Sequence, residues 1–283
     1  MKDFLKFTLA TVTGIILSSI VLFIVSMVTL FGIMSASDTE TIVKKNSVMM
    51  LDLNGTLVER TQENPLDILS QLFSDDSNIY GLDDILSSIK KAKENENIKG
   101  IYLQASSLGT SYASLQEIRN ALLDFKESGK FIYSYSNLGY SQKSYYLATV
   151  ADKIFVNPET PLLLTGMSSS ISFYKETLAK LGIQPEVVKV GKFKSAVEPF
   201  ISDEMSPANR EQVQKYLDSS WGTIVQGIAE SRNIPVDSIN ALANRFDFYT
   251  TRQFQDFGFF DGVLYEDQML ALLKEKCGVG ISD

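Results

Sequence analysis

Gly100-Ile101-Tyr102-Leu103-Gln104 and Phe131-Ile132-Tyr133-Ser134-Tyr135 bracket a stretch in which Leu115, Ile118, Leu122 and Phe125 recur at helical spacing. The two short runs are rich in β-branched and aromatic residues and read as buried strands. The segment between them has one apolar face and ends at Gly129, a helix-stop signal. A strand, a helix and a second strand in this order form a parallel β-α-β unit, and its repetition along the chain sets the class as α/β.

Outward from that unit the same alternation continues. Residues 47–53 read as a first strand closed by the Asn54-Gly55 turn signal. Residues 60–80 are polar and irregular, with at most one helical turn, and Leu82, Ile85, Leu86 and Ile89 open a helix that runs toward Asn97. Residues 142–150 read as a short helix, 153–157 as a strand, 174–181 as a helix and 185–190 as an extended apolar run. A long helix follows over 207–230, then two amphipathic ones near 236–244 and 266–276. No confident strand falls after residue 190, so the C-terminal part reads as a helical arm for packing or oligomerisation. The expected organisation is a tip and membrane anchor over 1–37, a linker over 38–46, one α/β domain over 47–276, and a tail or the start of a further linker over 277–283.

Composition excludes much chemistry. The chain has 283 residues, no histidine and one cysteine, Cys277. Ser-His-Asp and Cys-His catalysis, His-based metal sites, Cys-type zinc sites and an intrachain disulfide are all ruled out. Net charge is −8, which disfavours a nucleic-acid partner. From Phe7 to Ser37 no residue is charged, a run of about thirty. That exceeds the roughly twenty needed to cross a bilayer and the roughly 7–15 of a signal-peptide apolar region. Lys2 and Lys6 precede the run while Asp38 and Glu40 follow it, so the N-terminus is expected in the cytoplasm and the main domain outside.

Several motifs are weighed against plain structure. Asp52-Leu53-Asn54-Gly55-Thr56 resembles the Asp-x-Asp-Gly-Thr loop of haloacid-dehalogenase phosphatases, in which Asp52 would attack phosphate. Asn54 replaces the acid, and an amide cannot protonate a leaving group. Asp75-Asp76 is too close to the motif to supply magnesium ligands, so the segment reads as a strand and turn. Gly139-Tyr140-Ser141 lacks the later glycine of a nucleophile elbow, since position 143 is Lys143. Ser87 with Lys90, and Ser172 with Lys175, read as solvated surface, and Ser168, Ser169 and Ser170 as a turn. Gly278-Val279-Gly280 has nothing after it to cradle a phosphate. Tyr133, Tyr135, Tyr140, Tyr145 and Tyr146 read as core or groove lining. No cofactor or metal is expected.

Without histidine, proton transfer falls to a carboxylate, a tyrosine or a lysine. Lys189, Lys192 and Lys194 follow the apolar run at 185–190, and Phe193, Ala196, Val197 and Phe200 could desolvate Lys194. Bringing a lysine from about 10.4 to about 7 costs about 4–5 kcal/mol, which a fold bears only for a reason.

Val190-Gly191-x-Phe193-Lys194-Ser195-Ala196-Val197-Glu198-Pro199-Phe200, with Met205-Ser206-Pro207, resembles the N-terminal half of the protease IV, or signal peptide peptidase A, family. The likeness continues through Ser141-Gln142-x-x-Tyr145-Tyr146-Leu147-Ala148 and Ala151-Asp152-Lys153-Ile154. It implies a crotonase/Clp-protease-like fold of repeated β-β-α units and a serine–lysine dyad that cuts peptides, with Lys194 as general base. Gln142 occupies the nucleophile's slot, where the family has Ser-Gly-Gly-Tyr, and an amide cannot be activated for attack. Ala105-Ser106-Ser107-Leu108-Gly109 stands where the active half has a glycine-rich oxyanion loop. Double-length members divide the dyad, the first half keeping the lysine and the second supplying the serine. The resemblance therefore implies a first half whose substrates are hydrophobic signal peptides, held at the bacterial inner membrane through residues 7–37 and self-associating into homo-oligomers. A catalytically incomplete assembly scaffold is the alternative.

Overall fold

The computed structural model describes residues 2–36, 42–60, 79–188, 190–245 and 249–279. Most of the polar loop at 60–80, with Asp75-Asp76, and also Lys189 and Gly280, lie outside the described residues. The chain divides into two units, residues 1–43 and 44–283.

The first unit is one helix, α1 (Lys2–Ala36), with apolar residues on every face. Its stretch Lys2–Thr29 is long and apolar enough to cross a membrane.

The second unit is built on parallel strands. In chain order these are β1 (Ser47–Asp52), β2 (Gly55–Val58), β3 (Ile79–Gly81), β4 (Ile98–Gln104), β5 (Leu108–Gly109), β6 (Phe131–Ser136), β7 (Lys153–Val156) and β8 (Gly262–Val263). Five form one sheet in the order β1-β4-β6-β7-β8, and three short ones form a second in the order β3-β2-β5. All pairings are parallel. β4 is an interior strand, and Ile101, Tyr102 and Leu103 are buried on both its faces, as parallel strands covered on both sides require. A side chain at Gly100 would overlap Phe131, so glycine is what lets β4 and β6 pair there.

The helices are α2 (Leu82–Glu94), α3 (Tyr112–Lys126), α4 (Gln142–Ala148), α5 (Lys175–Lys180), α6 (Glu198–Ile201), α7 (Pro207–Arg232), α8 (Val236–Arg245), α9 (Thr251–Asp256) and α10 (Glu266–Cys277). β1 leads into β2, with β3 standing directly before α2, and β4 leads into β5 and then α3. A long strand in one sheet, a short strand in the other, then a helix is the repeated β-β-α unit that the resemblance implied. Asn54-Gly55 is therefore not a hairpin turn. It carries the chain from one sheet to the other.

α3 shows how local sequence sets an element. Ser111 caps it by accepting from the Ser114 N–H at 3.1 Å, and Leu115, Ile118, Leu122 and Phe125 are fully buried. Gly129 follows with φ near +77°, which suits glycine.

Three expectations are corrected. Residues 185–188 and 190 belong to no strand, and Val188 and Val190 are 99% and 80% exposed. The C-terminal part is not a separate arm. β8 joins the main sheet beside β7, and Met269 and Leu273 of α10 pack on Tyr102, Tyr135 and Phe155. Ser168, Ser169 and Ser170 form no hydrogen-bonded turn. The tyrosines do pack the core. Tyr140 and Tyr145 are fully buried against Phe259 and Phe260, and burial pushes both phenols up.

Candidate functional site

Two places carry the chemistry expected of this chain, the turn before α4 and the loop holding Lys194.

The first begins where β6 ends. Gly139 turns the chain with φ near +86°, and a side chain there would collide with the Pro161 carbonyl. The Tyr140 N–H donates to that carbonyl at 3.1 Å, and the Leu163 N–H returns to the Tyr140 carbonyl at 2.9 Å. Ser141 then caps α4, accepting from the Ser144 N–H at 3.3 Å. The turn is stitched to residues 105–109 through one carbonyl, that of Ser106. It accepts from the Ser141 N–H at 3.3 Å and from the Ser144 hydroxyl at 2.9 Å. Gln142, expected in the nucleophile slot, is the first residue of α4, and its side-chain oxygen is buried without a hydrogen-bond partner among the described residues. Burial pushes the Tyr112 phenol up, with the neighbouring Gln142 amide opposing the shift.

Sequence reasoning missed what sits over residues 105–109. The Asn54 side-chain oxygen accepts from the backbone N–H groups of Ser106 and Ser107, at 2.6 and 3.3 Å. Asn54 is held there because its own amide donates to Asp52 Oδ1 at 2.7 Å, which also accepts from the Asn54 N–H at 3.1 Å. The two N–H groups of the stretch that the resemblance matched to an oxyanion loop are thus taken by the chain's own amide oxygen. The signal was present in the sequence as Asp52-Leu53-Asn54-Gly55, but it concerned a phosphatase loop there. Asp52 instead orients Asn54. Nearby, Lys143 donates to the Thr110 carbonyl at 2.6 Å and lies over the Tyr112 ring. Ser141 and Ser144 thus have structural duties, and their lysine neighbour points to a carbonyl.

The lysine loop follows α5. Gly191 has φ near +101°, a conformation that favours glycine, and the Lys194 N–H reaches the Gly191 carbonyl at 3.5 Å. Lys194 is exposed at the edge of a cavity of about 450 Å³ lined by Val188, Val190, Phe193, Lys194, Val197 and Gln212. The expectation that Phe193 and Phe200 cover the lysine is not met within this chain: they are 48% and 46% exposed. What holds the loop is Glu198, the single buried residue between positions 190 and 200. Ser87, Lys90, Ser172 and Lys175 are exposed, as expected of surface, and Lys175 pairs with Asp203 at 2.6 Å.

Comparison with known proteins bears on both places. The chain is 37% identical over 192 residues to "Protease 4" of Salmonella typhi, covering 66% of this chain and 31% of that protein. It is 31% identical over 228 residues to "Protease 4" of Haemophilus influenzae, covering 79% of this chain and 37% of the relative. A "Putative signal peptide peptidase SppA" of Enterococcus faecium is 26% identical over 230 residues, covering 81% of this chain and 63% of that protein. The chain spans about a third of the length of the two Protease 4 relatives. A peptidase relationship leaves the phosphatase reading of Asp52 without support. The sequence profile described as Peptidase family S49 matches residues 124–280, a stretch that holds the Gln142 turn, the Lys194 loop and the strands between them, so the chain belongs to peptidase family S49.

Proposed function

We propose that this chain is the lysine-bearing half of a membrane-anchored serine endopeptidase that degrades hydrophobic peptides such as cleaved signal peptides. Lys194 is the general base for a serine supplied by a C-terminal half. The observation that carries the reading is the contrast between the two places. The slot of the nucleophile holds Gln142, with Asn54 on the adjoining amides, whereas Lys194 stands open beside an apolar-walled cavity.

Neutral Lys194 takes the proton from the serine hydroxyl as its oxygen attacks the peptide carbonyl. The tetrahedral intermediate collapses to an acyl-enzyme, and Lys194 returns the proton to the leaving amine. Water, deprotonated by the same lysine, then releases the acid and restores the serine. Closing the cavity over Val188, Val190 and Phe193 supplies the desolvation that keeps a lysine neutral. In this reading α1 anchors the protein in a bacterial inner membrane with the main domain outside, and the protein works as a homo-oligomer.

A scaffold half without catalytic duty shares Gln142 and differs in one result. A serine-reactive fluorophosphonate should leave residues 1–283 unlabelled and label the longer protein, whose peptidase activity Lys194→Ala should abolish. Activity that survives Lys194→Ala would leave the scaffold reading. Labelling of residues 1–283 at Ser141 or Ser144 would overturn the division of the site.

A further inference from the structure

Glu198 stands four residues after Lys194 and is 2% exposed, although nearly every residue around it faces solvent. A buried carboxylate is strongly disfavoured unless donors surround it. Here Oε1 accepts from the Ser206 hydroxyl at 2.6 Å, and Oε2 accepts from the Ser206 N–H at 3.2 Å and from Asn209 Nδ2 at 3.0 Å. These three donors belong to the start of α7. Ser206 is its cap, Pro207 takes the position where no N–H is needed, and Asn209 is itself buried. The carboxylate also meets the positive end of a 26-residue helix.

The far end of α7 is rigid. Ile224, Val225 and Ile228 are buried, and Arg119 of α3 donates to the Gly227 carbonyl and the Ser231 hydroxyl at 3.1 and 2.7 Å. The near end of the lysine loop hangs from Glu198. Its N–H closes a turn onto the Ser195 carbonyl at 3.0 Å, and its carbonyl accepts from the Ser202 N–H at 2.9 Å. Further tethers run to the start of α5: the Tyr174 N–H donates to the Pro199 carbonyl at 2.7 Å, the Tyr174 ring stacks on Phe200, and Lys175 pairs with Asp203.

We infer that Glu198 is a positioning residue for Lys194, a carboxylate that fastens the lysine loop to the N-terminus of α7 and so to the core. This rests on the proposed role of Lys194. An apolar residue could fill the space but would strand the Ser206 and Asn209 donors. Glutamine could keep them. Its oxygen can face Ser206 N–H and Asn209, and its amide can donate to the Ser206 hydroxyl. Glutamine thus keeps these three contacts with the start of α7, which is what the positioning role asks of this position.

The test uses the longer protein with its serine-bearing half, with rates divided by the fraction of serine that a fluorophosphonate titrates. Glu198→Ala should lower kcat by about tenfold or more, with KM within about twofold, because the base is displaced and the peptide site is not. Glu198→Gln should recover most of that loss and leave the acid limb of the kcat/KM profile in place. Ser206→Ala, which keeps the carboxylate and removes one donor, should fall between the two and guards against a Glu198→Ala protein that does not fold. A Glu198→Ala or Ser206→Ala enzyme with wild-type kcat would overturn the inference. So would a Glu198→Gln acid limb displaced by about one pH unit, since the carboxylate would then act through its charge. Lys194→Ala assayed alongside separates the levels. If it is inactive while Glu198→Ala is fully active, only the positioning role fails; if it is active, the functional reading fails with it.

Discussion

Replacing Arg119 by methionine should destabilise the domain more than any surface change, because that guanidinium joins three helices at once. Arg119 is 5% exposed. Nη1 donates to the Tyr146 carbonyl at 2.5 Å and to Thr149 Oγ1 at 2.9 Å, and Nη2 to the Gly227 carbonyl and Ser231 Oγ. The guanidinium also lies 4.5 Å from the Tyr146 ring centre. Charge-assisted hydrogen bonds contribute about 1.5–3 kcal/mol each, so four give about 6–12 kcal/mol before desolvation is subtracted. Burial acts against the charge and lowers the pKa of Arg119, while the Tyr146 and Glu230 charges oppose that shift. Methionine keeps the apolar stem and removes the desolvation cost together with the donors. The expected net loss is about 3–5 kcal/mol, because four acceptors lose their donor at about 1–3 kcal/mol each while the guanidinium's desolvation cost is recovered. At about 2–4 °C per kcal/mol for a domain of this size, the melting midpoint should fall by about 6–20 °C. The assay is thermal unfolding followed by circular dichroism on the soluble domain, with Arg119→Lys as a companion expected to lose less. A midpoint within about 3 °C of wild type for Arg119→Met would refute the network's role. The consequence reaches function, because α4 carries the Gln142 turn and α7 carries the anchor of the Lys194 loop.

Asn54→Ala should cost about 1–3 kcal/mol, since the Ser106 and Ser107 amides lose their acceptor. Hydrogen exchange at those two amides should accelerate, and unchanged exchange would show that Asn54 does not occupy them in solution. Asn54→Asp should be worse than alanine, because it sets a second carboxylate where Asp52 now receives an amide donor. Asp261 gives a pH dependence. Burial alone would raise its pKa, but the Ile154 N–H, Arg232 and Lys153 together hold it below the ordinary carboxylate range. A depressed folded pKa means stability that is present above about pH 4 and is lost as pH falls through the folded value. Asp261→Asn should therefore lower stability at pH 7 by about 1–2 kcal/mol, and the gap from wild type should narrow in urea melts as pH falls below about 4. A gap that persists at low pH would mean the residue acts by shape rather than charge.

The α/β class could be read from the sequence because periodicity and burial agree wherever one element packs on one partner. Leu115, Ile118, Leu122 and Phe125 mark α3 at helical spacing, and all four are buried. β2, β3, β5 and β8 were harder, since strands of two to four residues are too short to show alternation. Residues 185–190 fail in the opposite direction. Their apolar pattern suits a strand, yet no partner strand within the described residues pairs with them. The site divides likewise. Lys194 and Gln142 were found by motif, whereas the Asn54 contact spans more than fifty residues of sequence and depends on how β1 hands the chain to the second sheet.

The two halves of the site also differ in what they ask of the fold. The turn before α4 is a hydrogen-bonded frame running from Gly139 through Ser141 to the Ser106 carbonyl, and in the proposed reading Gln142 and Asn54 fill its reactive positions. Such a frame is retained for stability, because α4 buries Tyr145, Tyr146 and Leu147 and cannot be dismantled without opening the core. The lysine loop shows the reverse. Val188, Val190 and Phe193 contribute little to stability in their exposed state, and the one costly burial, Glu198, serves to fix the loop to α7. A segment held by a buried carboxylate while its apolar side chains stay open is one whose covering surface is supplied from outside this domain. That exposure is what the proposed completion of the Lys194 site by a second polypeptide segment would account for.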